Sequence, residues 1–187
     1  MKRASLFVIV CLALTGCATA QIAQGPSIAT LKMRDGRPLV AVAMVKDARG
    51  KTNVGTIGAA GIAVPETVKN TVHNYLVNTL YDNFAVNAKG SEEAAGTEKL
   101  VSSQIDSISI YSFDAIMQPV DTEISLKLSV LDVQGKSVYE QSYRGMYQER
   151  IGISLVESKT GQLVEEAIRN LMAQIAGDDR LKKVLEA

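Results

Sequence analysis

Residues that bind metals and form disulfides are scarce in this chain. Its 187 residues include one His, two Cys and no Trp, and aromatic residues make up only 5% of the sequence. A protein metal site needs several converging His, Cys or carboxylate ligands. Two cysteines form at most one disulfide. The sequence therefore predicts no metal, no cofactor and no disulfide framework.

An excess of positive charge is also lacking. Lys and Arg together number 20, Asp and Glu together number 20, and the formal net charge is zero. Nucleic-acid binders gain much of their affinity from cations that neutralise backbone phosphates. We therefore expect no nucleic-acid partner.

Long apolar runs are absent as well. A helix needs about 20 apolar residues to cross a bilayer, and the run Leu6–Leu14 supplies only about half of them. Hydrophobic residues nevertheless make up 47% of the chain. A chain of about 150 residues can bury roughly 68–70% of its unfolded surface. These values predict one globular domain and no membrane-spanning helix.

The first 17 residues carry the pattern of an export signal. Lys2-Arg3 precedes the apolar run Leu6–Leu14, as in a secretory signal peptide. Leu14–Cys17 (LTGC) follows directly and resembles the bacterial lipobox. We therefore predict a lipoprotein signal peptide over residues 1–16, with a diacylglyceryl group and an N-acyl chain on Cys17. The alternative is an ordinary cleaved signal that happens to contain a cysteine.

The residue after Cys17 indicates which membrane is the destination. In lipoproteins of this kind, Asp at that position retains the protein at the inner membrane, and most other residues allow export to the outer membrane. Ala18 therefore implies the periplasmic face of the outer membrane of a Gram-negative bacterium. Several acyl chains on one residue anchor a protein firmly. Cys11 leaves with the signal, so no disulfide is expected within the mature chain.

The rest of the chain divides into a tether and one domain. Residues 17–37 mix small and polar side chains with Gly25-Pro26 and lack a sustained period, which is typical of a flexible linker. Residues 38–187 are predicted to form a single α+β periplasmic domain. Its expected architecture is a mostly antiparallel sheet of about four to five strands, with two amphipathic helices packed on one face and a short C-terminal helix.

The strands are predicted from apolar patterns. The clearest is 120–130, where apolar and polar residues alternate. A turn at 134–136 joins it to 137–147 as an antiparallel hairpin. In 100–113 the alternation changes phase, which a β-bulge near Asp106 explains. The remaining strands are 39–45 and 84–88, and loops are predicted over 46–61 and 89–98.

Helices are predicted over 65–81, over 158–176 and directly after Asp178-Asp179. Pro65 stands at an early helical position, where its missing N–H costs nothing. Apolar residues at helical spacing give the first two helices one buried stripe each. Asp178 is expected to cap the last helix.

Two groups of residues are weighed as possible chemical sites. Gly55, Gly58 and Gly61 precede a helix, but their spacing matches neither the P-loop nor the dinucleotide-binding fingerprint. A flexible loop explains them better. His73 shares a helix face with Lys69, so we expect a solvated or rim position rather than a catalytic base.

Side chains that could form other catalytic pairs have simpler explanations. Ser125 and Lys127 share a strand face, but a hydrated sheet surface is favoured because Glu123 and Asp121 can neutralise Lys127. Adjacent acids such as Glu165-Glu166 point about 100° apart on a helix and cannot share a proton. We therefore do not expect an enzyme, and no catalytic residue is predicted.

Tyr139, Tyr143 and Tyr147 occupy one side of the second hairpin strand. The favoured interpretation is that the three rings pack as core beneath the helices. An aromatic stripe with polar tips is also typical of a surface that binds a partner or an acyl chain. These tyrosines are therefore the candidate partner-binding residues.

Several segments together resemble the YajG family of uncharacterised bacterial outer-membrane lipoproteins. They are the lipobox Leu14–Cys17, Asp47-Ala48-Arg49-Gly50, Ile57-Gly58, Asn83-Phe84-Ala85-Val86 and the ending LVEEAIRNLMAQIAGDDRLKKVLEA. The segment 55–63 is richer in Ala and Gly than the family pattern. The resemblance covers most of the mature chain and brings no catalytic residues with it.

Two functional hypotheses follow. The leading one is a non-enzymatic binding or accessory module for a cell-envelope protein complex, anchored to the outer membrane through Cys17. The alternative is a lipid- or lipopolysaccharide-handling auxiliary lipoprotein with a hydrophobic groove. An enzyme ranks third. No cofactor is expected; the covalent diacylglyceryl and N-acyl lipid on Cys17 is the only attached group that is predicted.

Overall fold

The computed structural model describes residues 37–50, 53–57, 60–88, 99–112 and 119–187. Several predictions fall on other residues, namely the signal peptide 1–16, Cys17, the tether as far as residue 36, Gly58 and the loop 89–98. These predictions lie outside the described residues.

Eight strands within the described residues form one mixed, curled sheet. They are β1 (Leu39–Val42), β2 (Lys46–Asp47), β3 (Asn53–Ile57), β4 (Ala60–Ala63), β5 (Ala85–Asn87), β6 (Lys99–Tyr111), β7 (Pro119–Asp132) and β8 (Ser137–Arg150). Three helices accompany them in the same part of the chain: α1 (Val68–Tyr81), α2 (Ile153–Ala176) and α3 (Asp179–Glu186). The helix α2 packs on β8 and β7, and α1 packs on α2 and β5.

The sheet is arranged around β6. On one side β7 runs antiparallel to β6, from Lys99 opposite Asp132 to Tyr111 opposite Asp121. On the other side β6 pairs in parallel with three short strands in turn, which are β1, β2 and β3. Beyond these, β5 joins β1 in parallel, β4 joins β3 antiparallel, and β8 joins β7 antiparallel.

The predicted mostly antiparallel sheet of about four to five strands is therefore wrong. The stretch 46–61, predicted as a loop, contains β2, β3 and the start of β4, and places Gly55 and Gly61 in paired strands. These strands have two to five residues, which is too short for an alternation to be recognised. Their parallel partners lie far away along the chain, and a local pattern does not indicate such pairing.

The long strands confirm the local predictions. Along β7 the buried residues alternate with partly exposed ones, as the period of two requires. The bulge predicted near Asp106 is present, because the register of β6 against β7 shifts between Ile105 and Ser107. The phase change in the sequence was therefore a reliable sign of this irregularity.

The turn between β7 and β8 is closed by one aspartate. Oδ1 of Asp132 accepts hydrogen bonds from the N–H groups of Gln134 and Lys136, each 2.9 Å long. Gly135 adopts a φ of 77°, a left-handed conformation that glycine reaches without a Cβ clash. The predicted antiparallel hairpin is confirmed, and its tip is internally bonded.

Part of the hydrophobic core lies where α2 packs on the β7–β8 hairpin. A Cβ at Gly145 of β8 would lie 2.0 Å from the carbonyl oxygen of Ala167 and 2.7 Å from Cβ of Leu171. The close approach of α2 to β8 thus requires glycine at this point. Around the crossing α2 buries the stripe that helical spacing predicts, which is Leu163, Val164, Ala167, Ile168, Leu171, Met172 and Ile175. The helix itself begins at Ile153, before the predicted start at Ser158.

Candidate partner-binding site

The three candidate tyrosines lie on the face of β8 that packs against the helices. Tyr143 is buried, and Tyr139 and Tyr147 are partly buried and pack against the hydrophobic core. Gly145 lies between Tyr143 and Tyr147 and contacts α2. This geometry agrees with the interpretation of the rings as core.

The hydroxyl groups of Tyr139 and Tyr143 meet at the carboxylate of Asp178. Their oxygens are 2.7 Å apart, and both donate to Oδ2 of Asp178, at 2.6 Å from Tyr139 and 2.8 Å from Tyr143. The other oxygen, Oδ1, accepts from the N–H groups of Arg180 and Leu181, at 2.8 and 3.0 Å. One carboxylate therefore caps α3, as predicted, and also ties the start of α3 to β8. The second role was not predicted.

These contacts fix the ionisation of the cluster. Burial by itself would raise the pKa of Asp178, but hydrogen bonds from Tyr139, Tyr143 and two backbone N–H groups together lower that pKa to about 2. Burial, followed by hydrogen bonds with Tyr139 and Asp178, raises the pKa of Tyr143 well above its usual value. The carboxylate is therefore charged and the Tyr143 hydroxyl neutral near pH 7. Contact of the tyrosines with a partner stays a prediction.

The opposite face of the hairpin is polar. Ion pairs across the strands join Glu123 to Arg144 at 3.1 Å and Lys127 to Glu140 at 2.9 Å. The side chain of Met146 is 60% exposed. We call these five residues the outer hairpin face. Lys127, which was considered as half of a Ser–Lys pair, is neutralised across the strands by Glu140, and this agrees with a hydrated sheet surface.

The helix α2 also occupies backbone groups of β8. The side-chain amides of Asn170 and Gln174 donate to the carbonyls of Met146 and Arg144, each at 2.7 Å. Within the described residues β8 forms a ladder only with β7, and an edge strand presents backbone groups that can pair with another chain. Because these two amides occupy carbonyls of β8, they reduce its ability to pair with another chain around residues 144–146. The side chains of the outer hairpin face stay accessible to a partner.

A second polar cluster joins β2 to the start of α1. The guanidinium of Arg49 forms two hydrogen bonds with Asp47, at 2.6 and 2.8 Å, and reaches the carbonyls of Val64 and Pro65 at 3.4 and 3.5 Å. Hydrogen bonding from Arg49 holds the pKa of Asp47 below its usual value, although burial opposes this. The Arg49 side chain is almost fully buried. The segment Asp47–Gly50 thus connects the sheet to the helix layer.

The position predicted for His73 is wrong. Its side chain is only 4% exposed, and Nδ1 is buried without a hydrogen-bond partner. Burial lowers the pKa of His73, although a hydrogen bond with the backbone of Ala43 opposes this effect. The buried residues of α1 include Thr71, His73 and Val77, so its buried face is wider than the single apolar stripe that was predicted.

In the described part of the chain, no group of three or more His, Cys, Asp or Glu residues is placed to hold a metal ion. Over the same ranges, no helix combines the length and apolar character that crossing a membrane requires.

Comparison of sequences finds no relative: no protein family model matches the chain, and no curated protein matches it. Comparison of structures does find similar folds. Protein XCC0632 from Xanthomonas campestris, described as family-model DUF330, is 10% identical to this chain. The match covers 86% of this chain and 91% of XCC0632, with a TM-score of 0.55. At this identity the similarity shows a shared fold alone.

Two other solved structures are similar to a lesser degree. A minor lipoprotein from Acinetobacter baumannii is 9% identical, covers 79% of this chain and 95% of its own, and has a TM-score of 0.49. The hypothetical protein CT253 from Chlamydia trachomatis is 10% identical, with coverages of 76% and 97% and a TM-score of 0.44. Both fall below XCC0632 in structural similarity.

Proposed function

We propose that this protein is a lipoprotein anchored at the periplasmic face of the outer membrane, and that its domain is a non-enzymatic binding or accessory module for a cell-envelope protein complex. The observation that carries the proposal is that three signals follow one another in the order of a lipoprotein signal peptide. They are Lys2-Arg3, the apolar run Leu6–Leu14 and the lipobox that ends at Cys17. Ala18 supports the outer membrane as the destination. The described residues begin at 37, and residues 18–36 would link them to the lipid.

The outer hairpin face is the docking surface that we assign to the partner. Interfaces commonly combine an apolar centre with a polar rim, and Met146 is surrounded there by charges of both signs. Arg144 and Glu140 make ion pairs at the surface, where such pairs contribute little to folding. They are therefore free to change partners on docking. The tyrosine stripe is a less accessible site, because Tyr143 is buried and the hydroxyls of Tyr139 and Tyr143 are both bonded to Asp178.

A photo-crosslinking amino acid tests this assignment in living cells. We would place benzoylphenylalanine at Met146 and, separately, at Tyr139 as the rival site. Protein adducts from position 146 alone are expected. Protein adducts from position 139 alone would move the docking site to the tyrosine stripe. Acyl-lipid adducts would favour the lipid-handling alternative, and the absence of adducts at both positions would contradict docking by this hairpin.

The anchor is tested by Cys17→Ser. This variant is expected to lose metabolic acyl labelling and to move from the membrane to the soluble fraction. Cys11→Ser is the matched control, because Cys11 lies in the predicted signal and should leave labelling of Cys17 intact. A Cys17→Ser protein that stays in the membrane would show that the lipoprotein interpretation is wrong.

We also infer a relationship to the YajG family from the segments that resemble it. The segment Asp47-Ala48-Arg49-Gly50 supports the inference, since Arg49 makes structural contacts to Asp47 and to Val64–Pro65. A family member whose structure lacks the same Asp–Arg contacts at this segment would weaken the relationship.

A further inference from the structure

The start of β1 and the exposed turn between β7 and β8 lie at the same end of the sheet. The register places Val40 of β1 opposite Lys99 of β6, and Lys99 opposite Asp132 at the end of β7. The turn from β7 into β8 follows Asp132 directly. The residues that precede β1 and the β7–β8 turn therefore lie at the same end of the molecule.

The entry of the chain is fixed at this end by Arg37. Its guanidinium donates to the carbonyl of Asp82 at 2.6 Å and to that of Tyr81 at 3.3 Å, at the end of α1. The 19 residues 18–36 separate Cys17 from this point, and a flexible linker of 19 residues has a root-mean-square span of about 25 Å. The sheet extends further than this, since the 14 residues of β8 cover about 48 Å at the usual rise. A lipid on Cys17 therefore keeps this end of the sheet nearer to the bilayer than the other.

The hairpin tip, residues 133–138, carries two exposed valines. Val133 lies in the turn and is 74% exposed, although turns favour Gly, Asn, Asp and Ser. Val138, the second residue of β8, is 43% exposed. Lys136 lies between them and is exposed. The hydrogen bonds of Asp132 to Gln134 and Lys136 hold the turn in shape, so the valines project from an ordered structure.

We propose that the hairpin tip rests on the phospholipid surface in which Cys17 is anchored. The valines enter the headgroup region, where apolar side chains leave water, and the ammonium of Lys136 faces the lipid phosphates. The contact is weak by itself, but the anchor raises the effective concentration of the bilayer at the tip. The inference rests on the proposed lipid anchor and adds an orientation to it, with the outer hairpin face standing upright above the membrane.

The charges of α3 do not contribute to this contact. Lys99 bonds to the carbonyl of Val184 in α3, which brings α3 to the same end. The exposed side chains of α3 include Arg180 and Lys183 but also Asp179 and Glu186. Because these charges balance, the apolar tip is the feature that distinguishes this end.

A fluorescent probe at the tip tests the orientation. The mature chain would carry no thiol besides the acylated Cys17, so Val133→Cys offers one labelling site for an environment-sensitive dye. The full acylated protein is reconstituted into vesicles of phosphatidylethanolamine and phosphatidylglycerol. The matched control is Tyr111→Cys, because Tyr111 is an exposed hydrophobic residue, at 53%, on the opposite end of β6.

The possible outcomes distinguish the proposed orientation of the hairpin tip from the proposed lipid anchor on Cys17. Dye emission at position 133 is expected to rise about twofold or more and to be quenched by spin-labelled lipid, with little change at position 111. An acylated protein in which positions 133 and 111 respond alike would overturn the orientation and leave the anchor standing. A protein without acyl mass on Cys17 would overturn both proposals.

Discussion

Tyr143 and Asp178 are joined by a hydrogen bond of 2.8 Å across 35 positions of the chain. The same carboxylate caps the helix that follows it, with Oδ1 accepting from Arg180 and Leu181. The end of the chain is therefore held to the middle of β8 by one side chain, and the stability of α3 depends on both sets of contacts.

Asp178→Ala is expected to lower the free energy of unfolding by about 2–4 kcal/mol, since a lost cap costs about 1 kcal/mol and unpaired buried hydroxyls cost about 1–3 kcal/mol. The measurement is urea unfolding followed by circular dichroism. Asp179→Ala is the control, because the Asp179 side chain is exposed and pairs only loosely with Lys182, at 3.7 Å. Equal losses for the two variants would contradict the role given to Asp178.

The same residue predicts a dependence on acid. The pKa of Asp178 is lowered to about 2 in the folded chain, against about 3.9 for an unfolded aspartate. Its contribution to stability is therefore complete above about pH 4 and is lost as the pH falls toward 2. Asp178→Asn can still cap the helix but should lack this part of the acid dependence. Wild-type and variant stabilities that stay parallel from pH 5 to pH 2 would show that the carboxylate charge is unimportant.

Gly145→Ala is expected to be severely destabilising, by about 3 kcal/mol or more, because its Cβ would meet backbone of α2 and overpacking of a rigid contact costs on this scale. Gly152→Ala is the matched control, since nothing lies within 4 Å of a Cβ there and its φ is −67°. Thermal unfolding of the two variants gives the comparison. A Gly145→Ala protein as stable as Gly152→Ala would mean that α2 lies further from β8 than described.

Arg49→Ala is expected to cost about 3–5 kcal/mol, because it leaves the mostly buried carboxylate of Asp47 without a partner. Arg49→Lys should recover only part of the loss, since a lysine does not supply the paired N–H groups of a guanidinium. Lys127→Ala removes an exposed ion pair and should cost less than about 1 kcal/mol. Chemical unfolding that ranks Lys127→Ala with Arg49→Ala would refute the structural role of this segment.

His73 provides a clean pH probe, because it is the one histidine of the chain. Burial lowers its pKa below 6.5, so the unfolded chain takes up a proton first as the pH falls. His73 therefore contributes stability above about pH 6.5 that is lost below that value. Titration of the imidazole by NMR should give a pKa below 6.5. Between pH 7.5 and 5.5 the wild type should lose stability relative to His73→Leu, and identical pH profiles would exclude this effect.

Local patterns predicted the features that depend on neighbouring residues. The β7–β8 hairpin, the bulge near Asp106 and the cap at Asp178 each follow from a period, a phase change or a residue type within a few positions. The buried stripe of α2 follows from helical spacing in the same way. The candidate tyrosines were placed on one strand face correctly, because a strand alternates its side chains by geometry alone.

The same local patterns did not predict contacts between segments that are distant in the sequence. His73 was expected near solvent because it shares a helix face with Lys69, yet it is buried, with the backbone of Ala43 as a hydrogen-bond partner. Arg49 lies in the stretch 46–61 that was predicted as a loop, and its buried side chain bonds to Asp47 and to the carbonyls of Val64 and Pro65. Burial is decided by what covers a side chain, and the covering residues are remote in sequence.

Consecutive residues are enough to predict the lipoprotein signal over residues 1–17 and the long antiparallel hairpin, because each is a local pattern. The folded structure adds the parallel alignment of β1, β2 and β3 along β6. It also shows that Tyr139 and Tyr143 share the carboxylate of Asp178 and that the hairpin tip lies at the same end of the sheet as the start of β1. These features stay hidden in the sequence because parallel pairing and helix docking join segments whose own sequences carry no mark of their partner.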